Sequence, residues 1–460
     1  MKDLTKGSVL KNILLFAAPL AIGNIFQLLY GFADSLIVGN LLGVNELAGV
    51  GAVGSLNFFV VGFAGGMSSG FAILVARHFG AKDERAMKQA IGHSIILSVI
   101  SALIMTVLSL SLLRLVLTWM NTPADIVEHS YSYIRIIFGG LLITMLYNTL
   151  ASVLRAVGDS RTPLYFLIIA SIVNIGLDLL FIGVFHTGVE GAAIATILSQ
   201  ALSVILCLLY IWWKCKFIIP GRGDYHLRGG VVKELVTTGL SLGFISSFIS
   251  VGSILVQSAL NRLGTLYVAA NTAAGRVCQI FMQPLMTLGT AMTTFGSQNL
   301  GAGKLKRVKQ GLRVTCLISI AWSIIGFVFT LLASEPVIGI LVKAADSNAE
   351  TVKELGAYFL RMQLLFFPFL GFLFIYRNTL QGIGNQKSPL LSGVLELLVK
   401  IVTAFWLTSY WGYDGIVFSE PIAWVLCMIL LLLGFYRDPR VKALSDKSLS
   451  SSLIKNEKNA

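Results

Sequence analysis

Charge is what this sequence is short of. Only 12% of its 460 residues are Asp, Glu, Lys or Arg, about half the share a soluble protein carries. In their place 56% are hydrophobic, and the mean hydropathy is +0.81. So few charges cannot cover a water-facing surface, which excludes a soluble globular chain and points to apolar spans of about 20 residues each. Cysteine is scarce and odd in number: Cys207, Cys215, Cys278, Cys316 and Cys427 imply no disulfide framework, and no two have metal-ligand spacing. Histidine is scarcer still in pattern. His78, His93, His129, His186 and His226 are scattered singly, and no phosphate loop or metal motif appears, so a membrane-embedded enzyme lacks its parts. Lys2, Lys6 and Lys11 before an apolar run imitate a signal peptide. The run continues to about Leu42 without a cleavage site and reads as a retained first helix.

What is present is a succession of apolar windows separated by polar or Gly/Pro breaks. They predict an all-α membrane protein with twelve transmembrane helices, at about 12–42, 47–77, 90–118, 127–156, 163–186 and 190–213, then 233–262, 267–299, 310–333, 353–382, 388–411 and 415–436. The expected organisation is an N-terminal six-helix lobe over 1–213 and a cytoplasmic connector over 214–232. A C-terminal six-helix lobe follows over 233–436, and a polar, disordered tail over 437–460.

The formal net charge of +13 could suggest nucleic acid. Its placement gives another reading. Of the 35 Lys and Arg, 27 fall in the N-tail, the 77–88 loop, the 155–161 turn, the connector, the 304–313 loop, the 377–387 turn and the tail. All of these lie on one side of a twelve-span chain, so both termini are expected in the cytoplasm of a cell with the protein in its inner or plasma membrane. The basic surplus is topological, and no nucleic-acid partner is expected. Trp119, Trp212, Trp213 and Trp411 stand near span ends, as interfacial aromatics do.

The two halves repeat each other at an offset of about 220–226. Phe79–Ser98 aligns with Leu300–Ser319, matching Gly80/Gly301, Ala81/Ala302, Lys88/Lys309 and Gln89/Gln310. Leu154–Leu164 aligns with Leu380–Leu390 through Gly158/Gly384 and Pro163/Pro389, and Gly188–Gly191 aligns with Gly412–Gly415. Six spans per half is even, so both halves enter from the same side. The expected fold is two pseudo-symmetric six-helix bundles around a central cleft. With no enzyme motif present, transport is the leading function.

An ionisable residue inside a span marks function by default. Span 1 holds Asp34, with Gln27 and Tyr30 on the same stripe; span 5 holds Asn174 and Asp178 one turn apart; span 6 holds Thr196 and Gln200 one turn apart. At about 1.5 Å per residue, Asp178 lies about 22 Å and Asp34 about 33 Å from the cytoplasmic side, both in the outer half, as is Thr196. Two carboxyls at similar depth in a low dielectric hold a proton or share a cation, which suits a coupling-ion site. Pro19 removes a backbone hydrogen bond inside span 1 and favours a kink.

The repeat maps Asn174 to Lys400, Asp178 to Ala404, Thr196 to Glu420 and Asp34 to about Ile254. The acidic pair is therefore confined to the first half. The second half offers Glu396, Lys400 and Glu420, and the expectation is that Lys400 neutralises one of these acids. Ser246, Ser250, Ser253 and Gln257 on span 7, and Asn271, Gly275 and Gln279 with neighbouring Arg276 and Gln283 on span 8, form polar stripes that pack or line a cleft. Gly62, Gly66 and Gly70 at four-residue spacing permit close helix packing.

The segments QLLYGFADSLIVG, LRAVGDSRTP and NIGLDLLFIGVF followed by GVEGAAIATILSQ together resemble the multidrug and toxic compound extrusion family over about 10–437. The resemblance implies two six-helix bundles and export of drug-like, often cationic or amphipathic, compounds in exchange for H⁺ or Na⁺ by alternating access. It needs no cofactor beyond that ion, and a monomer in the lipid bilayer is expected. It further implies a cation site formed by Asp34, Asn174, Asp178 and Thr196, with bending at Pro19. Some branches carry acids on spans 7 and 10; here span 7 has Gln257, and span 10 has no acid from Phe359 to Thr379. That places the chain nearer the DNA-damage-inducible and staphylococcal-type exporters. A lipid-linked saccharide flippase of the same superfamily is the alternative, with Arg276, Arg361 and Lys400 as cations for a diphosphate.

Overall fold

The computed structural model describes residues 2–341 and 348–443. Among them there is no strand. Helices of this apolarity form because nothing in a bilayer core can satisfy a backbone amide except the chain itself. The spans, in chain order, are α1 (Val9–Leu41), α2 (Gly54–Ala81), α3 (Glu84–Trp119), α4 (Val127–Gly139 with Leu141–Ala156), α5 (Arg161–Val184), α6 (Val189–Lys214), α7 (Gly229–Leu263), α8 (Thr265–Gly301), α9 (Leu305–Leu341), α10 (Ala349–Leu365 with Phe367–Gly382), α11 (Lys387–Trp411) and α12 (Tyr413–Arg437). The two halves of α4 bend by 49° and those of α10 by 47°, the same break at the same place in each repeat. Counting each bent pair as one span, eleven of the twelve are long and apolar enough to cross a membrane. The twelfth, α8, has the length, 37 residues, but carries the polar stripe that lowers its apolarity. The tail expected over 437–460 is described only to Ala443; the rest lies outside the described residues.

Glycines mark the repeat as firmly as the helices do. Gly158 and Gly384 have φ of +87° and +84°, and Gly188 and Gly412 have +64° and +55°. Each pair ends a span in a left-handed turn, which only glycine adopts without strain.

The chain packs as two compact units whose limits fall inside helices. Residues Met1–Asp3 and Ala18–Ser250 form one; Leu4–Ala17 and the chain from Val251 form the other. The units thus differ from the expected lobes by an exchange of helix starts. In the first unit, the start of α7 packs on α2: a Cβ at Gly66 would come within 2.7 Å of the Leu242 carbonyl oxygen, and one at Gly70 within 2.6 Å of Gly239 Cα. The connector is held there too. The Arg228 backbone N–H donates to His93 Nε2 at 2.9 Å, and Arg77 pairs with Glu234. In the second unit, the segment before α1 is held in the matching way. The Leu4 N–H donates to Gln298 Oε1 at 3.1 Å, and Lys304 Nζ and Arg307 Nη2 donate to the carbonyls of Thr5 and Lys6, each at 2.9 Å.

The turn glycines give a graded test. Gly188→Ala should cost about 1–2 kcal/mol from backbone strain alone, because the space beside it is open. Gly158→Ala should cost more, since the Lys2 backbone lies directly against it. Thermal unfolding midpoints of the two variants in detergent check the order.

Candidate functional site

The first unit builds its polar site where α1, α5 and α6 meet, above a core of Val38, Phe138, Ile182, Val189, Ala192 and Ala193. Asn174 and Asp178 are fully buried on α5. Directly after Asp178 the helix widens into a π-helical turn, Leu179–Val184, a feature that re-aims side chains and recurs at functional positions. With its amide turned to satisfy both neighbours, Asn174 donates to Asp178 Oδ2 at 2.9 Å and accepts the Thr196 backbone N–H at 3.1 Å. The Thr196 hydroxyl donates to the Ala192 carbonyl at 3.0 Å, so the Tyr30 hydroxyl is the donor in the 3.2 Å bond between Tyr30 and Thr196.

Asp34 meets Asp178 at hydrogen-bonding range. Ionised carboxylates only accept, and the Oδ1 atoms of both are buried without a donor. No Lys or Arg pairs with either among the described residues. Two unit charges about 4 Å apart repel by about 4 kcal/mol at an effective dielectric of 20. The pair is therefore chemically incomplete without a shared proton or a cation. Oxygen donors of this kind suit a hard cation.

The structure brings together Asp34, Asn174, Asp178 and Thr196, with Tyr30 joined through Thr196. It does not bring in the other two stripe residues. Gln200 instead accepts from Thr144, and Gln27 is exposed. Pro19 is buried in α1 just beyond Ala17, where the chain passes from one compact unit into the other. Tyr133, on the first half of α4, was missed by sequence reasoning. It is buried and close enough to interact electrostatically with Asp34, Tyr30 and Asp178; no stripe or charge on α4 could have singled it out.

In the second unit four charged side chains join on α10, α11 and α12. Lys400 Nζ lies 2.8 Å from Glu420 Oε1 and 3.4 Å from Glu396 Oε1, and Arg377 Nη2 lies 2.7 Å from Glu396 Oε2. The side chains of Arg377 and Lys400 are 4% and 1% exposed. Lys400 therefore serves both acids rather than one. Arg377, counted from sequence among the basic residues of a cytoplasmic turn, is instead buried within α10, bonded also to Ser392 Oγ at 2.8 Å. Of the remaining cleft candidates, Ser253, Gln257, Arg276 and Gln279 are exposed, and Asn271 and Gln283 are half-buried. Gln257 donates to Asn261 at 2.9 Å. Ser246 and Ser250 spend their hydroxyls on their own helix carbonyls.

The MatE family model matches this chain over residues 19–180 and again over 242–406, one stretch within each repeat. The probable multidrug resistance protein YpnP of Bacillus subtilis is 29% identical over 89% of this chain and 88% of its own length. The multidrug export protein MepA of Staphylococcus saprophyticus is 20% identical over 94% of both. In fold, the chain resembles an outward-facing multidrug resistance MATE family transporter of the MOP superfamily, at a TM-score of 0.87 and 24% identity, covering 96% of this chain and 98% of that one.

The two classes of ion pair in the second unit should differ in worth. Arg377→Met leaves buried carboxylate uncompensated and should cost about 3–5 kcal/mol. Arg361→Met removes a largely exposed pair with Glu335 and should cost no more than about 1 kcal/mol. Unfolding midpoints of the two variants measure the difference.

Proposed function

This chain belongs to the MatE family, the multidrug and toxic compound extrusion transporters, and from that premise we propose that it exports drug-like organic compounds by antiport against H⁺ or Na⁺. It is a multi-pass membrane transporter and not an enzyme. The coupling ion binds at Asp34 and Asp178, with Asn174 and Thr196 fixing the carboxyls and Tyr30 closing the set from α1. The single observation that carries this reading is the carboxyl pair: two buried acids in contact, their Oδ1 atoms without donors and without a basic partner.

A shared ion links α1 to α5 and α6, so binding and release change how the outer part of α1 is held. Alternating access then couples ion entry to substrate exit, both termini facing the cytoplasm. Polar side chains exposed on α7 and α8 (Ser253, Gln257, Arg276 and Gln279) are the substrate-facing candidates, because a polar side chain exposed at mid-span is tolerated where it lines a water-filled cavity. Natural partners are small amphipathic or cationic molecules and the bilayer itself, and the protein works as a monomer. The flippase alternative draws on three cations, but Arg361 is paired with Glu335 and Lys400 with Glu396 and Glu420. Arg276 alone is left for a diphosphate.

Proteoliposomes with separately imposed pH and Na⁺ gradients test the antiport. Efflux of an organic cation such as ethidium should follow one of the two gradients, and Asp34→Asn should abolish that dependence while leaving the protein folded. Unchanged gradient-driven efflux by the variant would refute the assignment.

A further inference from the structure

The charged set of the second unit stands in the place that the acidic site takes in the first. Asn174 lies 13 residues beyond the start of α5 at Arg161, and Lys400 lies 13 beyond the start of α11 at Lys387. Thr196 and Glu420 each lie 7 residues beyond the starts of α6 and α12. Both α5 and α11 widen into a π-helical turn just past these positions, at Leu179–Val184 and Thr403–Leu407. Pairing is kept as well. Asn174 bonds to Thr196 in the first unit, and Lys400 pairs with Glu420 in the second. The third helix corresponds too. Asp34 is 25 residues into α1 and Gly252 is 23 into α7. A Cβ at Gly252 would come within 2.6 Å of Lys400 Cδ. Where the first unit presents a carboxylate, the second presents a bare backbone against which the lysine stem lies.

The charges complete the comparison. In the first unit two acids face each other with no basic partner among the described residues. In the second, Arg377 and Lys400 balance Glu396 and Glu420. Arg377 holds Glu396 by itself at 2.7 Å, so the acid that depends on Lys400 is Glu420. Its side chain is 28% exposed, against 6% for Glu396. Glu420 is the accessible end of the network.

We infer that the Lys400 ammonium is a tethered cation, standing where the first unit binds an exchangeable one. The second unit therefore takes up no ion during the cycle, and loss of Lys400 alone converts this three-helix junction into a site for Na⁺ or a proton at Glu420. The inference rests on the reading of Asp34 and Asp178 as an ion site.

The test reads the thermal unfolding midpoint of the purified full-length protein in NaCl against choline chloride, and again as pH is lowered. Wild type should respond through the first unit, and Asp34→Asn should remove the response. Adding Lys400→Met to Asp34→Asn should restore a rise in midpoint with Na⁺ or protons, and adding Glu420→Gln as well should remove it again. A Lys400→Met protein that survives purification only in NaCl or at lowered pH meets the same expectation. One that is indifferent to both ions, or lost in every medium, overturns the inference. A wild-type response that persists in Asp34→Asn overturns instead the first-unit reading.

Discussion

The structure turns on the neutralisation of charge away from water. An isolated ion in a low-dielectric interior is too costly to keep, so every buried charge must be matched by a partner, a proton or a bound ion. The second unit solves this within the protein, with Arg377 and Lys400 set against Glu396 and Glu420. The first unit leaves Asp34 and Asp178 unmatched. A stable protein gains nothing from an unmatched acidic pair; a protein that must pick up and release a cation needs one. The difference between the units is thus a difference between a structural charge and a working one.

Around that constraint the fold is conservative. The same breaks in α4 and α10, the same left-handed glycines and the same π-helical turns recur in both repeats. Identical scaffolding holds different chemistry. The backbone fixes where three helices converge, and a handful of substitutions at that junction decide whether it holds a free ion or a lysine.

Much of this was legible in the sequence because it depends on local pattern. Apolar windows located the spans, and matched turn glycines located the repeat. An acid inside an apolar run is conspicuous, so Asp34 and Asp178 stood out, and helical spacing brought Asn174 and Thr196 with them. The same spacing argument also chose Gln27 and Gln200, which share a stripe with the site but not its bonds, since a stripe fixes a face and not a partner. Arg377 was misplaced because it lies near the end of a helix, where hydropathy cannot tell a buried arginine from one in a loop. Tyr133 and the π-helical turns left no signal, since each is defined by what other helices bring to it. The exchange of helix starts between the compact units is likewise a matter of packing partners far apart in the chain.

That exchange bears on how the protein is made. Leu4 finds its hydrogen-bond partners at Gln298 and Asn299, 294 and 295 residues later. The start of the first helix enters the bilayer with nothing to bind, and stays so until most of the chain has left the ribosome. The first unit is likewise incomplete until the opening turns of α7 arrive. Neither half can be finished as an independent module during synthesis. Truncation at the repeat boundary would leave each product without the segment that closes it, and the last step of assembly belongs to the first residues translated.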